Sequence, residues 1–256
     1  MFSHLVRPDA TQPVGVAFTD RAGGHSSGSL GPLNLGRLDA DDPAAVERNG
    51  ATVAARLGLD VLVALDQVHG ADVLTVDRDF LAGWGPRHWL GEAAGLPALP
   101  RADAAVTDQS GIGLMVRVAD CVPVLLADAS AGVVGGAHAG RAGFDLGVLP
   151  ATVEAMYRLG AREIRAWIGP HVCGECYEVP QEMADQTDAR HPGVAARTSW
   201  GTASLDLGVG CVNQLTALGV RTERVDPCTL TTPGLHSHRR DGAGAGRQAG
   251  IIWRVS

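Results

Sequence analysis

The chain has 256 residues, of which 45% are hydrophobic and 19% charged, so it has enough apolar content for a full core and a length at the upper end of one domain. Its formal net charge of -7 excludes the basic surface that a nucleic-acid partner requires. All 21 basic residues are arginine, which excludes a Schiff-base lysine, a pyridoxal phosphate anchor and a Walker-type phosphate-binding lysine. We expect a single compact domain over residues 1–256 that binds a small molecule.

The N-terminus and the cysteines indicate the compartment. The opening segment, MFSHLVRPDA, lacks the long apolar core of a signal peptide, and the longest apolar runs are too short to cross a bilayer. The chain has 5 cysteines, a small and odd number for a disulfide framework, which favours reduced thiols. We therefore expect a cytoplasmic protein without a membrane partner.

A first helix is predicted to begin at Asp42, because aspartate suits the N-cap and Pro43 suits the first helical position. Apolar residues then recur near helical spacing until Gly58, which is typical of a helix end. Gly50 lies inside this helix, where glycine costs roughly 1 kcal/mol relative to alanine. The sequence leaves open whether a close packing contact requires this glycine or the helix tolerates it.

Short runs with β-strand composition dominate the next part of the chain, at residues 61–65, 73–76, 104–107, 113–118, 122–127 and 133–137. The glycine- and proline-rich segment 81–103 predicts a long surface loop, whose Trp84 and Trp89 either cap the fold or line a cleft. Helices are predicted at residues 145–159 and 208–218, and strands at 164–168, 224–225 and 250–255. This order predicts an α/β fold of the α+β type, with mixed β-sheet layers flanked by helices in an irregular topology.

Three polar residues interrupt or end the apolar runs and are candidates for chemistry. Cys121, preceded by Asp120, separates two strongly apolar strands; a buried structural cysteine with an acidic turn residue is the alternative interpretation. His138 ends a strand of small residues and is followed by glycines, while His69 precedes a glycine at a predicted strand-to-strand turn. Taken singly, each histidine is more commonly a hydrogen-bonded surface or core residue.

Together, His69, Cys121 and His138 supply one thiolate and two imidazoles. This ligand set suits Zn²⁺ and leaves its fourth tetrahedral position open for water, as in catalytic zinc sites. The spacing alone does not establish the site, because the three residues are far apart in the sequence, unlike the ligands of a zinc finger.

Ordered matches along nearly the whole chain resemble the YfiH-like family, whose members are known as multicopper polyphenol oxidases (laccases) and as purine nucleoside phosphorylases with adenosine deaminase activity. The matching segments include FTDRAGGHSSG, PLNLG, LDQVHGADV, ADAAVTDQSGIGLMVRVADCVPVLLAD, GAHAG, AMYRLGAREIRAWIGPHVCGECYEV and RRDGAGAGRQAGIIW. The resemblance implies a zinc held by the histidine of QVHG, the cysteine of ADC and the histidine of HAG, which are His69, Cys121 and His138. Copper is the alternative metal.

The resemblance also implies an activity. It implies zinc-dependent phosphorolysis of adenosine, inosine or methylthioadenosine, with adenosine deamination as a further reaction. The catalytic candidates are Asp120, which is adjacent to a ligand and suited to carry a proton, together with Cys121 and His138. The expected partners are a nucleoside and phosphate, and a homodimer is left open.

Arginines of the C-terminal segment are the candidates for binding phosphate, because bidentate arginine suits this anion. The candidate substrate-binding residues are Arg239, Arg240 and Arg247, together with Asn34 of PLNLG. Solvated surface charge is the alternative interpretation of the three arginines.

Two departures from the family pattern bear on the substrate. The family usually reads His-Ala-Gly-Trp-Arg-Gly, whereas here His138 is followed by Ala-Gly and then by Arg141-Ala142, so the tryptophan is missing and the arginine displaced. The first helix of the family often carries Asn-Arg where this chain has Asn49-Gly50. We expect the metal site to persist with an altered substrate preference.

Three other functions are compatible with these residues. A copper-dependent phenol oxidase is disfavoured, because it needs many paired histidines and only His236-Ser-His238 has that form here. A cysteine hydrolase, including one that edits peptidoglycan precursors, would use Cys121 as nucleophile and His138 as base without metal. A diverged binding protein without catalysis is the third.

Cys173 and Cys176 form a CxxC pair, a pattern found in redox pairs and in zinc ribbons. The chain has no second CxxC, and the flanking IGP and YEVP segments favour a loop. We therefore expect these two cysteines to be packed or to support the site.

Overall fold

The centre of the molecule consists of two mixed β-sheets that face each other. The computed structural model describes residues 1–36 and 39–256. The strands are β1 (Phe2–Val6), β2 (Val14–Thr19), β3 (Val61–Ala64), β4 (Val73–Thr75), β5 (Ala104–Thr107), β6 (Ile112–Val118), β7 (Val122–Asp128), β8 (Val133–Ala139), β9 (Arg165–Ile168), β10 (Ala195–Arg197), β11 (Ala203–Leu205), β12 (Arg221–Arg224) and β13 (Gln248–Arg254).

Both large sheets combine antiparallel and parallel pairs. The first has the order β1-β2-β13-β6-β3 and the second the order β12-β9-β7-β8-β5-β4, while β10 and β11 form a separate antiparallel pair. Parallel pairing is found between β3 and β6, between β4 and β5, and between β9 and β12. The expected α+β fold with mixed sheets and irregular topology is confirmed.

The longer helices cover the outer faces of both sheets, and short helices lie in the connections. The helices are α1 (Pro43–Leu57), α2 (Arg78–Ala82), α3 (Arg141–Leu146), α4 (Val148–Arg158), α5 (Gln181–Arg190), α6 (Leu207–Ala217) and α7 (His238–Asp241). Helix α1 packs on the first sheet, and α4, α5 and α6 pack on the second. None of the helices in the described part of the chain has the length and hydrophobicity that a membrane crossing requires.

Side-chain alternation along the central strands separates the core between the sheets from the cores under the helices. Successive strand residues point to opposite faces. Leu125 of β7 therefore packs against Val116 between the sheets, whereas Val124 and Leu126 pack on the helix side. Each such fully buried side chain contributes about 1.5–3 kcal/mol. The strong apolar content of β7 and its neighbours thus places these strands at the centre.

Helix α1 begins and ends where the sequence predicts. The side chain of Asp42 accepts a hydrogen bond from the backbone N–H of Ala44, and Gly58 closes the helix with a φ of 71° in the left-handed region. The structure also gives the reason for Gly50. A Cβ atom at this position would lie 2.0 Å from the indole ring of Trp89, so the contact requires glycine.

Replacing Gly50 with alanine should cost about 2–3 kcal/mol through overpacking, because the Cβ atom would lie 2.0 Å from the indole ring and force Trp89 to move. The gain in helix propensity, roughly 1 kcal/mol, offsets part of this cost and leaves a net loss of about 1–2 kcal/mol in the free energy of unfolding. Urea unfolding measures the difference. The exposed Ala51→Gly change in the same helix should cost only about 1 kcal/mol, and a Gly50→Ala variant as stable as the wild type contradicts the close contact.

The structure differs from the sequence prediction in several connections. The helix predicted over residues 145–159 is two helices, α3 and α4, because Gly147 has a φ of 87° and ends the first. The predicted surface loop 81–103 buries Trp89, and Trp84 donates its indole N–H to the Leu62 carbonyl at 2.9 Å. Both tryptophans therefore cap the first sheet. Short helices also occur in this segment.

Some elements were missed by sequence reasoning for physical reasons. Strand β2, VGVAFT, is buried on both faces and therefore lacks the alternation of polar and apolar residues. Helix α5, QEMADQTDAR, is mostly polar and lacks a continuous apolar stripe. Strands β1 and β10 are short and partly exposed, and β11 is buried but has only three residues, so all three strands carry weak signals.

Candidate metal centre

One edge of the sheets brings His69, Cys121 and His138 together. Strands β7 and β8 pair antiparallel, with Pro123 opposite His138. Cys121 immediately precedes β7 and therefore lies beside the end of β8. His69 enters from the connection between β3 and β4. The long separations in sequence are thus bridged by strand pairing.

The ligand atoms of these three residues lie within 4.8 Å of one another. Cys121 Sγ is 3.7 Å from His69 Nε2, and the two imidazole rings meet edge-on with 4.8 Å between their centroids. His138 is 3% exposed, whereas His69 is exposed, so the group opens to solvent on one side. A soft or borderline cation would find three donors here and keep a coordination position toward solvent.

The buried carboxylate of Asp103 holds both histidines. Its Oδ1 lies 2.8 Å from Nδ1 of His138 and accepts the backbone N–H of His69 at 2.9 Å. Its Oδ2 accepts the backbone N–H groups of Val68 at 3.1 Å and Gly70 at 2.6 Å. Burial by itself would raise the pKa of the Asp103 carboxyl, but the hydrogen bonds from His138 and the backbone lower it. Since Asp103 occupies Nδ1 of His138, Nε2 remains for a metal.

The backbone around the three residues is adapted to close contact. His69 has a φ of 61°, which is uncommon outside glycine and is held here by Asp103. A Cβ atom on Gly140 would lie 2.4 Å from Cδ2 of His69 and 3.2 Å from Sγ of Cys121. A Cβ atom on Gly143 would lie 2.7 Å from the carbonyl oxygen of Gly70. The glycines after His138 therefore make room for the QVHG turn.

The electrostatics favour a thiolate at Cys121. Burial would raise the pKa of the Cys121 thiol, but hydrogen bonds with His138 and then His69 lower it to about 6. Burial would likewise lower the pKa of His138, yet the contacts with Asp103 and Cys121 raise it to about 9. In the absence of metal, a positive imidazole therefore balances the thiolate. A divalent cation could take over this role, so the donor set fits the predicted metal.

The carboxylate of Asp120 contacts the C-terminal loop. Its Oδ1 accepts the hydroxyl of Thr229 at 2.6 Å and its Oδ2 accepts the backbone N–H of Arg239 at 2.7 Å. The backbone carbonyl of Asp120 accepts the N–H of Val172 at 3.0 Å. The φ angle of Asp120 is 97°, in the left-handed region. These bonds fix Asp120 directly before Cys121 and position the backbone of Arg239, while Asp120 itself lies in the wall of the cleft.

A cleft of about 580 Å³ opens over the three candidate ligands. Arg117, Arg239 and Arg247 line it. The guanidinium carbon of Arg239 lies 4.8 Å from the ring centroid of Tyr177. Burial, and then the neighbouring Arg247, lower the pKa of Arg117 to about 10. This clustering of positive charge suits an anionic ligand.

Two predicted substrate-binding residues lie outside the cleft lining. The guanidinium of Arg240 donates to a cluster of main-chain carbonyls, those of Thr229, Leu230, Thr232 and Leu235. Asn34 is fully buried, and its Oδ1 accepts the backbone N–H of Gly36 at 3.1 Å and of Arg247 at 3.0 Å. Arg240 therefore shapes the C-terminal loop, and Asn34 positions two residues that line the cleft.

Sequence reasoning missed Asp103, Gln67, Arg117 and Tyr177. Gln67 exchanges two hydrogen bonds with the backbone of Arg117, at 2.8 Å and 2.9 Å, and thereby joins the edge of β6 to the His69 turn. A charged residue inside the apolar run GLMVRV could have indicated Arg117, and one directly before AAVT could have indicated Asp103. No comparable signal marks Tyr177.

The two departures from the family pattern lie at different places. Gly50, on α1, packs against Trp89 and is not among the residues that line the cleft. Arg141 begins α3, directly after Gly140, which abuts His69. Only the departure at Arg141 therefore lies next to the candidate ligands, because the helix that carries Gly50 faces the outer side of the first sheet.

Acidification should destabilise the chain through His236. Burial lowers the pKa of His236 to about 4 from 6.5, against the opposing hydrogen bond to the Leu33 carbonyl. The unfolded state therefore binds more protons as the pH falls from about 6.5 to about 4, and the free energy of unfolding should fall by about 3 kcal/mol over this range. Urea unfolding at several pH values measures the slope. His236→Gln should flatten it, and an unchanged slope in that variant contradicts this assignment.

Comparisons with known proteins agree with this fold. A family model described as multi-copper polyphenol oxidoreductase laccase matches residues 15–255. A purine nucleoside phosphorylase of Streptomyces griseus is 49% identical over 242 residues, covering 93% of this chain and 93% of the relative. A purine nucleoside phosphorylase of Streptomyces coelicolor is 46% identical over 250 residues, covering 96% and 97%.

Solved structures show the same architecture. The crystal structure of YlmD from Geobacillus stearothermophilus matches with a TM-score of 0.82 and 31% identity, covering 95% of this chain and 93% of that chain. A Neisseria meningitidis protein of the DUF152 family matches with a TM-score of 0.80 and 31% identity, covering 98% and 99%. The chain therefore belongs to the YfiH-like (DUF152) family, described by the multi-copper polyphenol oxidoreductase laccase model.

Proposed function

We propose that this protein is a zinc-dependent purine nucleoside phosphorylase. One observation carries the proposal: the group of His69, Cys121 and His138 and the three arginines line the same cleft. A metal centre beside a cationic surface suits a pair of reactants, one with a polar ring system and the other a phosphate ion. The names of the relatives support the same activity. The reactants are a purine nucleoside and inorganic phosphate, and the compartment is the cytoplasm.

The donor set favours zinc at the three candidate ligands. One thiolate and two imidazoles form a tetrahedral zinc site with one open position, and Asp103 supplies the carboxylate partner that such histidines commonly have. When bound, the zinc would act as a Lewis acid toward an oxygen or nitrogen of the substrate. The chain's own residues set the rest of the chemistry.

Phosphorolysis requires a phosphate oxygen to attack the anomeric carbon of the ribose. The bond from this carbon to the purine nitrogen breaks, the electron pair leaves with the purine, and a proton from phosphate or solvent neutralises the base. Arg239, Arg247 and Arg117 would bind and orient the phosphate, which provides the proximity that such a displacement needs. Tyr177 holds the guanidinium of Arg239 on its ring face.

The direct test is to incubate the purified protein with inosine or adenosine, with and without phosphate. We expect free purine base and ribose 1-phosphate only when phosphate is present, and neither product with Cys121→Ala. Methylthioadenosine tests the third substrate in the same way. Formation of inosine from adenosine, without phosphate, would establish the deaminase activity. Absence of base and ribose 1-phosphate above the Cys121→Ala level rejects the phosphorylase.

Arg239→Gln should raise the KM for phosphate about 10-fold or more, since a charge-assisted hydrogen bond contributes about 1.5–3 kcal/mol. Steady-state kinetics at saturating nucleoside give this value. Arg240→Gln is the matched control, because its guanidinium holds carbonyls of the loop. Arg240→Gln should lower stability more than it raises this KM, and equal KM increases in both variants contradict the assignment of Arg239.

A cysteine hydrolase, including one that edits peptidoglycan precursors, is the second candidate. The specific observation is the contact between a thiol of lowered pKa and a histidine held by a carboxylate, an arrangement that also activates a nucleophile. Metal content and alkylation distinguish the two. About one zinc per chain at Cys121, with protection from iodoacetamide, supports coordination; rapid alkylation of a metal-free protein supports the nucleophile.

A copper-dependent phenol oxidase and a binding protein without catalysis have weaker support. Among the described residues, the two groups that could hold a metal contain only two histidines between them, His69 and His138. A multinuclear copper centre needs more. His236 of the HxH segment is buried and bonded to the Leu33 carbonyl. The turnover assay above separates the binding protein from the enzyme.

A further inference from the structure

A second group of cysteines lies apart from the candidate metal ligands. Cys173 and Cys176 belong to the connection between β9 and α5, and Cys228 belongs to the connection after β12. Their sulfur atoms lie within 4.8 Å of one another. The CxxC pair thus gains a third thiol from a distant part of the sequence, which sequence reasoning did not predict.

Strand pairing fixes this convergence. Strands β9 and β12 are parallel neighbours, so the connections that follow them leave from the same edge of the sheet. The two connections are then joined by a backbone bridge between His171 and Cys228, in which the N–H of Thr229 donates to the His171 carbonyl at 2.9 Å. The N–H of Cys173 also donates to Sγ of Cys228 at 3.5 Å. The three thiols are therefore held by the fold.

The local backbone of the CxxC pair forms a tight turn. The N–H groups of Cys176 and Tyr177 both donate to the carbonyl of Cys173, at 3.0 Å and 2.9 Å. This turn directs both thiols of the pair to the same side, as in metal-binding CxxC loops. Cys176 is buried, whereas Cys173 and Cys228 are half-buried, so a small cation can reach the group from solvent.

The grouping of three sulfur atoms suits a metal better than a disulfide. Thiolates bound at about 2.3 Å around a tetrahedral or trigonal ion lie about 4 Å apart, which is compatible with three sulfur atoms that all lie within 4.8 Å of one another. A disulfide would join two sulfur atoms at about 2 Å and leave the third thiol unused. Soft sulfur donors without histidine or carboxylate favour thiophilic ions.

We propose that Cys173, Cys176 and Cys228 form a second metal site, which binds one thiophilic cation, Zn²⁺ or Cu⁺, through three sulfur atoms. The cation would join the connection after β9 to the connection after β12. Both connections contact Asp120, through the N–H of Val172 and the hydroxyl of Thr229. The second site would therefore hold the segment that leads into Cys121 and stabilise the wall of the cleft.

Zinc stoichiometry tests the proposal on the full-length protein. The reduced protein is loaded with Zn²⁺ and freed of unbound metal by gel filtration. Elemental mass spectrometry then gives the number of zinc ions per chain. We expect two zinc ions per chain in the wild type, one in Cys121→Ala, one in Cys173→Ser/Cys228→Ser, and none in the variant with all three changes. Cys211→Ala, which removes a buried cysteine outside both groups, should retain two.

The outcomes separate this proposal from the proposed function. One zinc in the wild type that is lost in Cys121→Ala, and unchanged in Cys173→Ser/Cys228→Ser, overturns zinc binding at the second site, and a failure of Cu⁺ to bind there as well overturns the site itself. One zinc that survives Cys121→Ala but is lost in the double variant supports the second site and rejects the first. A disulfide within the group, found by mass spectrometry of the freshly purified protein before reduction, also overturns the proposal.

Spectroscopy and stability give readouts that do not depend on activity. In Cys121→Ala, Co²⁺ should produce thiolate-to-cobalt charge-transfer absorption that saturates at about one equivalent, and adding Cys173→Ser/Cys228→Ser should abolish it. Zn²⁺ at a hundredfold excess over its Kd should raise the Tm of Cys121→Ala by about 5–10 °C. Parallel titration with Cu⁺ under anaerobic conditions identifies the preferred ion. A Tm and a spectrum that neither metal changes contradict the site.

Discussion

Gly140→Ala should remove the metal from the His69, Cys121 and His138 centre while the chain stays folded. The φ of -71° and ψ of 162° at Gly140 suit alanine, so the backbone has no reason to move. The added methyl group would instead lie 2.4 Å from the His69 ring and 3.2 Å from Sγ of Cys121, which displaces the imidazole. We expect the zinc affinity of this centre to fall at least about 100-fold, and phosphorolysis to be lost with it.

The measurement is zinc affinity by competition with a chromophoric chelator, in the Cys173→Ser/Cys228→Ser background so that only one site contributes. Gly83→Ala is the matched control, because a Cβ atom there meets nothing closer than 3.9 Å. Circular dichroism and urea unfolding confirm that the fold persists. Wild-type zinc affinity in Gly140→Ala would show that His69 does not hold the metal as the donor set predicts.

Asp103→Asn should weaken the centre in a different way, by freeing the groups that hold the histidines. One carboxylate accepts three backbone N–H groups and contacts Nδ1 of His138, whereas asparagine replaces one acceptor oxygen with a donor. At least one N–H of the His69 turn is then left facing another donor. We expect the free energy of unfolding to fall by about 3 kcal/mol. We also expect the zinc affinity to fall by roughly 10- to 100-fold.

Urea unfolding and the same chelator competition measure both effects. The exposed Asp72→Asn change, in the segment next to the His69 turn, serves as the control and should alter neither value appreciably. If Asp103→Asn lowers stability without changing zinc affinity, Asp103 supports the turn but does not orient the ligands. Unchanged stability contradicts its role in the turn as well.

The site could be predicted in part from single residues. Cys121, His138 and His69 stand out because each interrupts or ends an apolar strand, where a polar residue needs a reason. Asp103 does the same before β5, yet it was not identified, because an aspartate before a strand is equally common as a turn residue. Tyr177 could not be found, since its position beside Arg239 depends on contacts between distant loops.

The arginines show the same limit. All three C-terminal arginines were equivalent by sequence, because each can bind phosphate or solvent. The structure separates them by position: Arg239 and Arg247 line the cleft, whereas Arg240 is not among its lining residues. Main-chain carbonyls hold the guanidinium of Arg240 and also accept from Nη1 of Arg247, those of Ala245 and Gly246 in the latter case. Arg117, from β6, joins the cleft instead. The sequence likewise leaves open why a glycine lies at position 50. In the structure Trp89, from the segment predicted to be a surface loop, packs against Gly50 and requires it.

The features that depend on neighbouring residues could be predicted from the sequence: the caps of α1 at Asp42 and Gly58, the apolar central strands, and the three candidate metal ligands. These follow from local hydrogen bonding, burial and donor chemistry. Which distant groups meet depends on the long-range pairing of the chain. The register of β7 and β8 places His138 opposite Pro123, and the bridge between the loops after β9 and β12 brings Cys228 beside Cys173. The pairing of β5 with β8 likewise brings Asp103 to His138.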